Sequence, residues 1–237
     1  MWRLVLGCLC AAALNAHAAH PLITEDTGTL GTGRWQLEGT SEGEKARATR
    51  QRVWINNFVL GRGVAENADW QIALPWHRDG ADGLGDVSLD VKWRYFERDT
   101  FSLGLKPGVT LPTGDEADGR GTGKVTWGAL LIVSYEPAPF AFHAHAGARR
   151  NRNKLGERES LTHISAALVY EIGSVKLVAD VARNTAPDPA AGRAERYLVL
   201  GAIWSVRRDF DLDIGIKKGS GSAPVDEALL LGATVRW

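Results

Sequence analysis

The feature that most constrains this chain is a two-residue alternation of apolar and polar side chains that recurs along most of its length. Val87, Leu89, Val91, Trp93 and Tyr95 alternate with Asp86, Ser88, Asp90, Lys92 and Arg94. Phe101, Leu103, Leu105, Pro107, Val109 and Leu111 alternate with Ser102, Gly104, Lys106, Gly108 and Thr110. Trp70 to Trp76, Phe210 to Ile216 and Leu229 to Trp237 repeat the pattern. Successive side chains of a β-strand point to opposite faces, so such alternation marks strands whose two faces meet different surroundings. About twelve segments are predicted: 33–41, 52–63, 68–77, 86–96, 100–112, 123–136, 139–149, 160–172, 174–184, 196–206, 208–218 and 227–237. Most have the roughly 9–11 residues that cross a bilayer at a tilt. The first, second and tenth are the weakest. In the second, Val53-Trp54-Ile55-Asn56-Asn57-Phe58 suits neither parity, and a bulge is expected to switch faces there.

The links between segments alternate long and short. Long ones surround 41–51, 77–85, 113–122, 150–159, 185–195 and 219–226; short ones lie at 64–67, 97–99, 137–138, 173–174 and Arg207. Outer-membrane barrels have short periplasmic turns and longer extracellular loops. The alternation closes over an even strand number with both ends of the chain on the short-turn side. Trp35, Trp70, Trp93, Tyr135, Phe140, Trp204, Phe210 and Trp237 all fall at the short-turn ends, as a membrane-interface girdle requires. A soluble β-sandwich is the competing architecture, but its strands run to about 5–6 residues and its aromatics do not gather at strand ends. The predicted fold is therefore an all-β, antiparallel up-and-down transmembrane β-barrel of about 12 strands. In lipid its last strand has to pair with its first, because an open edge would strand unpaired backbone groups.

The N-terminus reads as a signal peptide over residues 1–18. Arg3 supplies the charge, Leu4 to Leu14 the apolar region, and Ala16-His17-Ala18 a small-x-small cleavage site, so the mature chain starts near Ala19. Gly7-Cys8 suggests a lipoprotein instead, but too few apolar residues precede it. Cys8 and Cys10 are the only cysteines and leave with the leader, which gives a mature chain without disulfides or thiol chemistry. Residues 19–237 form the barrel domain, with 19–33 as a periplasmic N-terminal segment or a plug. The 28 basic and 28 acidic residues balance, and no basic patch with interleaved aromatics points to nucleic acid.

Three stretches carry a family resemblance: His20-Pro21-Leu22-Ile23-Thr24-Glu25-Asp26-Thr27-Gly28-Thr29 running into Gly33-Arg34-Trp35-Gln36-Leu37-Glu38; Gly83-Leu84-Gly85-Asp86-Val87-Ser88-Leu89 followed by Lys92-Trp93-Arg94-Tyr95; and Leu111-Pro112-Thr113-Gly114-Asp115. Together they resemble the outer-membrane barrels labelled as transporters of the MetA pathway of phenol degradation. The resemblance implies an outer-membrane location and a channel or transporter role. It also implies that barrel assembly machinery reads the terminal Trp237.

On the strand parity, Arg34, Glu38, Asp90, Lys92, Arg94, Lys106, Lys124, His143, His145, His163, Glu171, Lys176, Asp180, Asp211, Asp213 and Lys217 face the lumen. A single-sign ring would mark an ion filter; this mixture suits ion-pair ladders that stiffen a narrow interior. Leu130, Ile132, Val178, Val199 and Ile203 also point inward and suggest a greasy track for small hydrophobic or aromatic solutes. His163-Ile164-Ser165 has the His-x-Ser spacing of phospholipase barrels, but both side chains point to the lumen and no Asn-Gly follows. His143 and His145 share a face without a third metal ligand at a suitable spacing. Asp115, Glu116 and Asp118 make one outer loop acidic, with weak calcium binding as the alternative to plain solvation. Gly121-Thr122-Gly123-Lys124 fails as a phosphate loop, because Asp118 and Val125 stand where Gly and Ser or Thr belong. Arg149, Arg150, Arg152, Lys154 and Arg158 make another outer loop basic, with contact to anionic lipopolysaccharide as one reading and an ordinary charged loop as the other. No cofactor is expected. The functional expectation is passive passage of small solutes, hydrophobic or aromatic ones among them. Its competitors are a non-conducting structural or surface-binding barrel and a lipid-acting enzyme.

Overall fold

A computed structural model describes residues 20–78 and 82–237 of the chain. The predicted leader, with Cys8, Cys10 and the Ala16-His17-Ala18 signal, lies outside the described residues. The strands are β1 (Trp35–Ala46), β2 (Arg52–Ala65), β3 (Ala68–Arg78), the two-residue β4 (Gly83–Leu84), β5 (Val87–Arg98), β6 (Phe101–Leu111), β7 (Thr126–Tyr135), β8 (Phe140–Arg150), β9 (Ser160–Ile172), β10 (Val175–Asn184), β11 (Glu195–Arg207), β12 (Phe210–Gly221) and β13 (Val225–Arg236). Each long strand pairs antiparallel with its sequence neighbours, and β1 pairs with β13, so twelve strands close into a barrel. No helix occurs among the described residues. The extra strand β4 pairs with the outer end of β3 (Trp76↔Leu84, His77↔Gly83), beyond the point where β5 leaves off.

The closing seam is secured at the short-turn end. Trp35 N donates to Trp237 O at 2.8 Å and Trp237 N to Trp35 O at 3.0 Å. The two indoles stack at 6.4 Å between centroids, and Trp70 meets Trp35 edge-on at 5.7 Å. The short turns fall at 66–67, 99–100, 136–139, 173–174 and 208–209, and the longer loops at the opposite end. In the tightest turns a left-handed residue is needed, and Gly173 supplies it with φ 62°.

Burial alternates with the pleat. Along β9, Ser165, Ala167 and Val169 are buried while Ile164, Ala166, Leu168 and Tyr170 are exposed. The outside of the ring is a belt of large apolar side chains, with Ile164, Ile214 and Val181 each more than half exposed. No water-facing surface sustains such a contiguous belt, whereas a bilayer does.

Two local expectations change. The ladder from Trp35↔Arg62 to Lys45↔Arg52 is continuous, so β2 has no face-switching bulge at 53–58. Ile55, Asn57 and Val59 point inward there, and the register shift of this strand lies instead between Gly63 and Ala65. The segment predicted from 123 begins as a strand only at Thr126.

A barrel lumen crossed by its own N-terminal segment

Residues 20–34 run through the interior before joining β1, and the wall supplies partners along the way. His20 Nδ1 lies 2.5 Å from Asp213 Oδ1 on β12. The Pro21 ring sits against Gly201 on β11 and Gly215 on β12. Leu22 packs on Ala141, Val169, Val178 and Ile203, and Ile23 on Val199, Val225, Ala228 and Leu230. The Asp180 carboxylate on β10 accepts the amides of Ile23 and Thr24, both at 2.7 Å, and lies 2.8 Å from the Thr24 hydroxyl. Glu25 N donates to His145 Nδ1 at 2.9 Å, and the Glu25 carboxylate pairs with Lys106 and Lys92. Asp26, fully buried, lies 3.4 Å from Lys92 and accepts Gly28 N at 2.8 Å.

Further along, Thr27 N donates to Ser134 Oγ at 3.1 Å, and the Thr27 and Ser102 hydroxyls lie 2.5 Å apart. Leu30 N meets both Asp69 oxygens at 3.0 Å. At the exit, Gly33 N donates to Gly63 O and Gly63 N to Arg34 O, each at 2.9 Å. The physical reason for this density is plain: extended backbone inside a barrel brings N–H and C=O groups that cost free energy unless paired. Side chains of Glu38, Asp69, Ser134, His145 and Asp180, on five different strands, accept amides of the segment.

The inward side chains predicted from parity sort into two sets. Lys92, Lys106, His145, Asp180 and Asp213 hold residues 20–26, as described. Lys176–Glu171 at 3.3 Å, Arg236–Asp211 at 2.7 Å, and Lys217 with Glu42 and Glu44 at 2.6 and 2.9 Å brace the wall. Arg94 reaches Glu97 at 3.2 Å, and Asp90 accepts the Ser88 hydroxyl at 3.2 Å. His143 Nδ1 meets Ser134 Oγ at 2.9 Å. Lys124 does not face the lumen: it is exposed in the loop before β7, because the strand starts two residues after it. Arg34 likewise precedes β1 and is exposed.

Ile132, Val178, Val199 and Ile203 do point inward, but they are almost wholly buried. Leu22 covers Val178 and Ile203, Ile23 covers Val199, and a methyl of Thr27 approaches the Ile132–Gly104 contact. The greasy track is therefore occupied by the chain itself, and of its five residues Leu130 alone lines open space. This covering was not legible from strand parity, which reports direction and not occupancy.

The other candidate chemistries dissolve into local partners. His163 Nδ1 pairs with Asn184 Oδ1 at 2.5 Å, whereas Ser165 Oγ is engaged by Thr24 at 2.8 Å, so the His-x-Ser residues are not bonded to each other. No group of three or more metal-ligating residues occurs among the described residues. In the acidic loop, Asp115 caps Ala117 N, Glu116 pairs with Lys154, and Asp118 lies 2.8 Å from Arg120. Arg158 donates to the carbonyls of Ala186, Asp188 and Pro189 and so ties two outer loops together. The side chains of Trp93, Tyr135, Phe140 and Trp204 are exposed on the outer surface, and those of Trp35, Trp70 and Phe210 partly so, at the short-turn end. Phe140 stacks on Tyr170 at 4.9 Å, and Arg207 lies over Phe210 at 5.8 Å.

Two cavities flank the crossing segment and another opens beyond it. One of about 500 Å³ lies against β5 to β11 and includes Ile23, Leu130, Lys106, Arg149 and His163 in its wall. One of about 270 Å³ lies against β1 to β6, walled by Gln36, Asn57, Asp69, Gln71 and Lys92 among others. A third, of about 560 Å³, opens among the outer loops. All three touch Ser88, and the first two also share Glu25, Asp90 and Lys106. The Glu25–Lys106 pair thus lies between the first two. Near the short-turn end, burial and then the neighbouring Asp26 charge push the Glu136 carboxyl up to about 7. Glu66, in the β2–β3 turn, is held below its usual value by hydrogen bonds from Thr32.

A closed antiparallel barrel with an apolar outer belt, an aromatic girdle and a polar, segment-crossed lumen is a bacterial outer-membrane barrel. Residues 15–237 match the family described as "Putative MetA-pathway of phenol degradation", and the chain belongs to that family. Among curated proteins none matches it. Among solved structures it is similar to an outer membrane channel from Pseudomonas putida F1, with a TM-score of 0.70 at 12% identity over 90% of this chain and 98% of that one. It is also similar to the KdgM porin, with a TM-score of 0.63 at 5% identity over 84% of this chain and 98% of that one. At these identities the likeness is one of fold.

Proposed function

We propose that this protein is a passive outer-membrane channel for small solutes, narrowed by residues 20–33 acting as a plug. The observation that carries the reading is a pair of lumen cavities on the two sides of the crossing segment that share Glu25, Ser88, Asp90 and Lys106 in their walls, with a third among the outer loops that also touches Ser88. A barrel built only as a wall has no need of such open space in its lumen beside a charged pair. The names of the two fold neighbours, a channel and a porin, agree with this. The smaller cavity has a wall of amides and charged groups and suits polar solutes. The larger one adds Leu130, Ile23 and Leu161 and suits a small amphipathic solute.

Planar-bilayer recording of the mature protein and of a form lacking residues 20–32 tests the proposal. The expected result is a small unitary conductance that rises several-fold in the shortened form. Absence of conductance in both, with barrels folded by heat-modifiable migration, would establish the structural-barrel alternative instead. Phospholipid hydrolysis lost in Ser165→Ala would establish the enzyme.

A further inference from the structure

We propose that one side of the outer wall, centred on Arg183 and Arg196, is a binding site for the phosphate groups of lipopolysaccharide in the surrounding outer leaflet. Arg183 on β10 and Arg196 on β11 stand directly opposite each other in the ladder, and both are exposed. Their strand neighbours show which way they face. Ala182 and Glu195 are buried, whereas Val181 and Leu198, two residues nearer the short-turn end, belong to the exposed apolar belt. Directly opposed side chains have Cβ atoms about 4.5–5.5 Å apart, and like charges so placed repel. Neither arginine has a carboxylate or a hydrogen-bond partner among the described residues. Two adjacent guanidinium groups without a counter-charge on the protein call for an anion from outside it.

The pair ends a longer row. Glu227 on β13 lies opposite both Lys218 on β12 and Lys45 on β1, and Lys45 lies opposite Arg52 on β2. That one carboxylate serves three cations, Lys45 at 3.4 Å and Arg52 and Lys218 each at 3.8 Å. Strands β2, β1, β13, β12, β11 and β10 are neighbours, so a continuous arc of the rim carries five cations and one acid. Across the barrel, the residues at the same end of β5, β6 and β7 are the apolar Val87, Leu111 and Trp127. Charges serving solubility alone would be mixed in sign and spread round the ring; a one-sided surplus fits an anionic partner. The level fits too. Arg183 and Arg196 lie two residues, about 7 Å, beyond the last belt residue of their strands, where hydrocarbon gives way to headgroups. This end carries the long loops and therefore meets the outer leaflet. The loop cations are engaged within the protein instead: Arg150 with Glu159, Lys154 with Glu116, and Arg158 with three carbonyls. The inference needs the outer-membrane location and holds whether or not the barrel conducts.

The test uses protein expressed from the full chain and purified from outer membranes in detergent. Binding of diphosphorylated lipid A, of dephosphorylated lipid A and of phosphatidylglycerol is measured by native mass spectrometry. Diphosphorylated lipid A is expected to bind the wild type about tenfold more tightly than either of the others. The variant Arg183→Gln, Arg196→Gln, Lys218→Gln is expected to lose that preference. The loop variant Lys124→Gln, Arg150→Gln, Arg152→Gln is expected to keep it, as is Arg183→Lys, Arg196→Lys, which retains the charge. Equal binding of the three lipids to the wild type, undiminished binding in the first variant, or an equal loss in the loop variant would each overturn the inference. Heat-modifiable migration confirms folding in every sample, so a failure to fold is not mistaken for lost binding.

Discussion

Lys92→Met removes the one cation shared by Glu25 and Asp26 while nearly conserving volume. Lys92 is 3% exposed and Asp26 is fully buried, with its second oxygen lacking any hydrogen-bond partner. Removing one side of such a buried pair costs about 3–5 kcal/mol, because the remaining charge stays unpaired in a dry site. Glu25 retains Lys106, so the lower end, about 3 kcal/mol, applies here. The backbone ladder of the wall does not pass through this pair, and the cost therefore falls on docking of residues 20–33. About 3 kcal/mol shifts a docked–undocked equilibrium by roughly a hundredfold. The assay is urea-dependent exposure of a segment reporter in detergent micelles, read alongside bilayer conductance. Docking should fail at markedly lower urea, conductance should rise, and the barrel's own unfolding midpoint should barely move. Adding Asp26→Asn should recover most of the loss. Wild-type docking in Lys92→Met, or a loss that Asp26→Asn leaves untouched, would refute the reasoning.

Gly63→Ala should unseat the exit of the segment, since a Cβ there would lie 1.8 Å from Gly31 O; limited proteolysis between residues 20 and 34 should become fast in an otherwise folded barrel. Asp180→Ala withdraws a carboxylate from two amides and a hydroxyl, and at about 1.5–3 kcal/mol per charged hydrogen bond it should release the segment more fully than Lys92→Met. Glu136 carries a pH dependence: its pKa is raised in the folded state, so the associated stability is complete below the ordinary carboxylate range and is lost as pH rises through about 7. The side chain is 39% exposed and partly screened, so the urea midpoint of the wild type should fall only modestly relative to Glu136→Gln between pH 5 and pH 8. Trp237→Ala removes an indole stack and loosens a two-bond seam, which amounts to roughly 1–3 kcal/mol and should appear as a lower unfolding midpoint and slower insertion into vesicles.

The wall of this protein was legible in the sequence because it obeys one local rule. Every strand has lipid on one side and lumen on the other, so a period of two writes the fold directly into segments such as Val87–Tyr95 and Phe210–Ile216. Departures from the expected bounds occur where that rule stops. Lys124 continues the alternation on paper, but nothing pairs with it beyond Thr126↔Thr110. In β2 the parity looked broken because Ile55 and Val59 are apolar yet face the lumen, an arrangement that local alternation cannot distinguish from a bulge. The short strand β4 was invisible because two residues carry no period.

What fills the lumen was less legible, for a physical reason. Parity identified Asp180, Asp213, Lys92, Lys106 and His145 as inward, and their mixed signs suggested ladders across the wall. Ladders do occur, in Lys176–Glu171 and Arg236–Asp211. The partners of the others lie up to 193 residues away, in a segment with no periodicity of its own. The signal that points to it is the inward glycines: Gly201 and Gly215 sit where side chains would otherwise fill the lumen, and an unfilled inward position in a narrow barrel means that something else occupies the space.

This arrangement makes the segment and the wall separable in energy although they are continuous in sequence. Twelve strands enclose more room than inward side chains fill, so without residues 20–33 the lumen would hold water and not a void. Undocking therefore moves Asp26, Lys92 and Asp180 from protein partners to lumen water, never to hydrocarbon, and its cost is the hydrogen bonds and ion pairs exchanged with solvent plus the apolar contacts of Leu22 and Ile23. The wall keeps its closed backbone ladder and the Trp35–Trp237 seam in the exchange. If residues 20–33 are the plug of the proposed channel, the contacts of Asp180 and Lys92 set how often it releases.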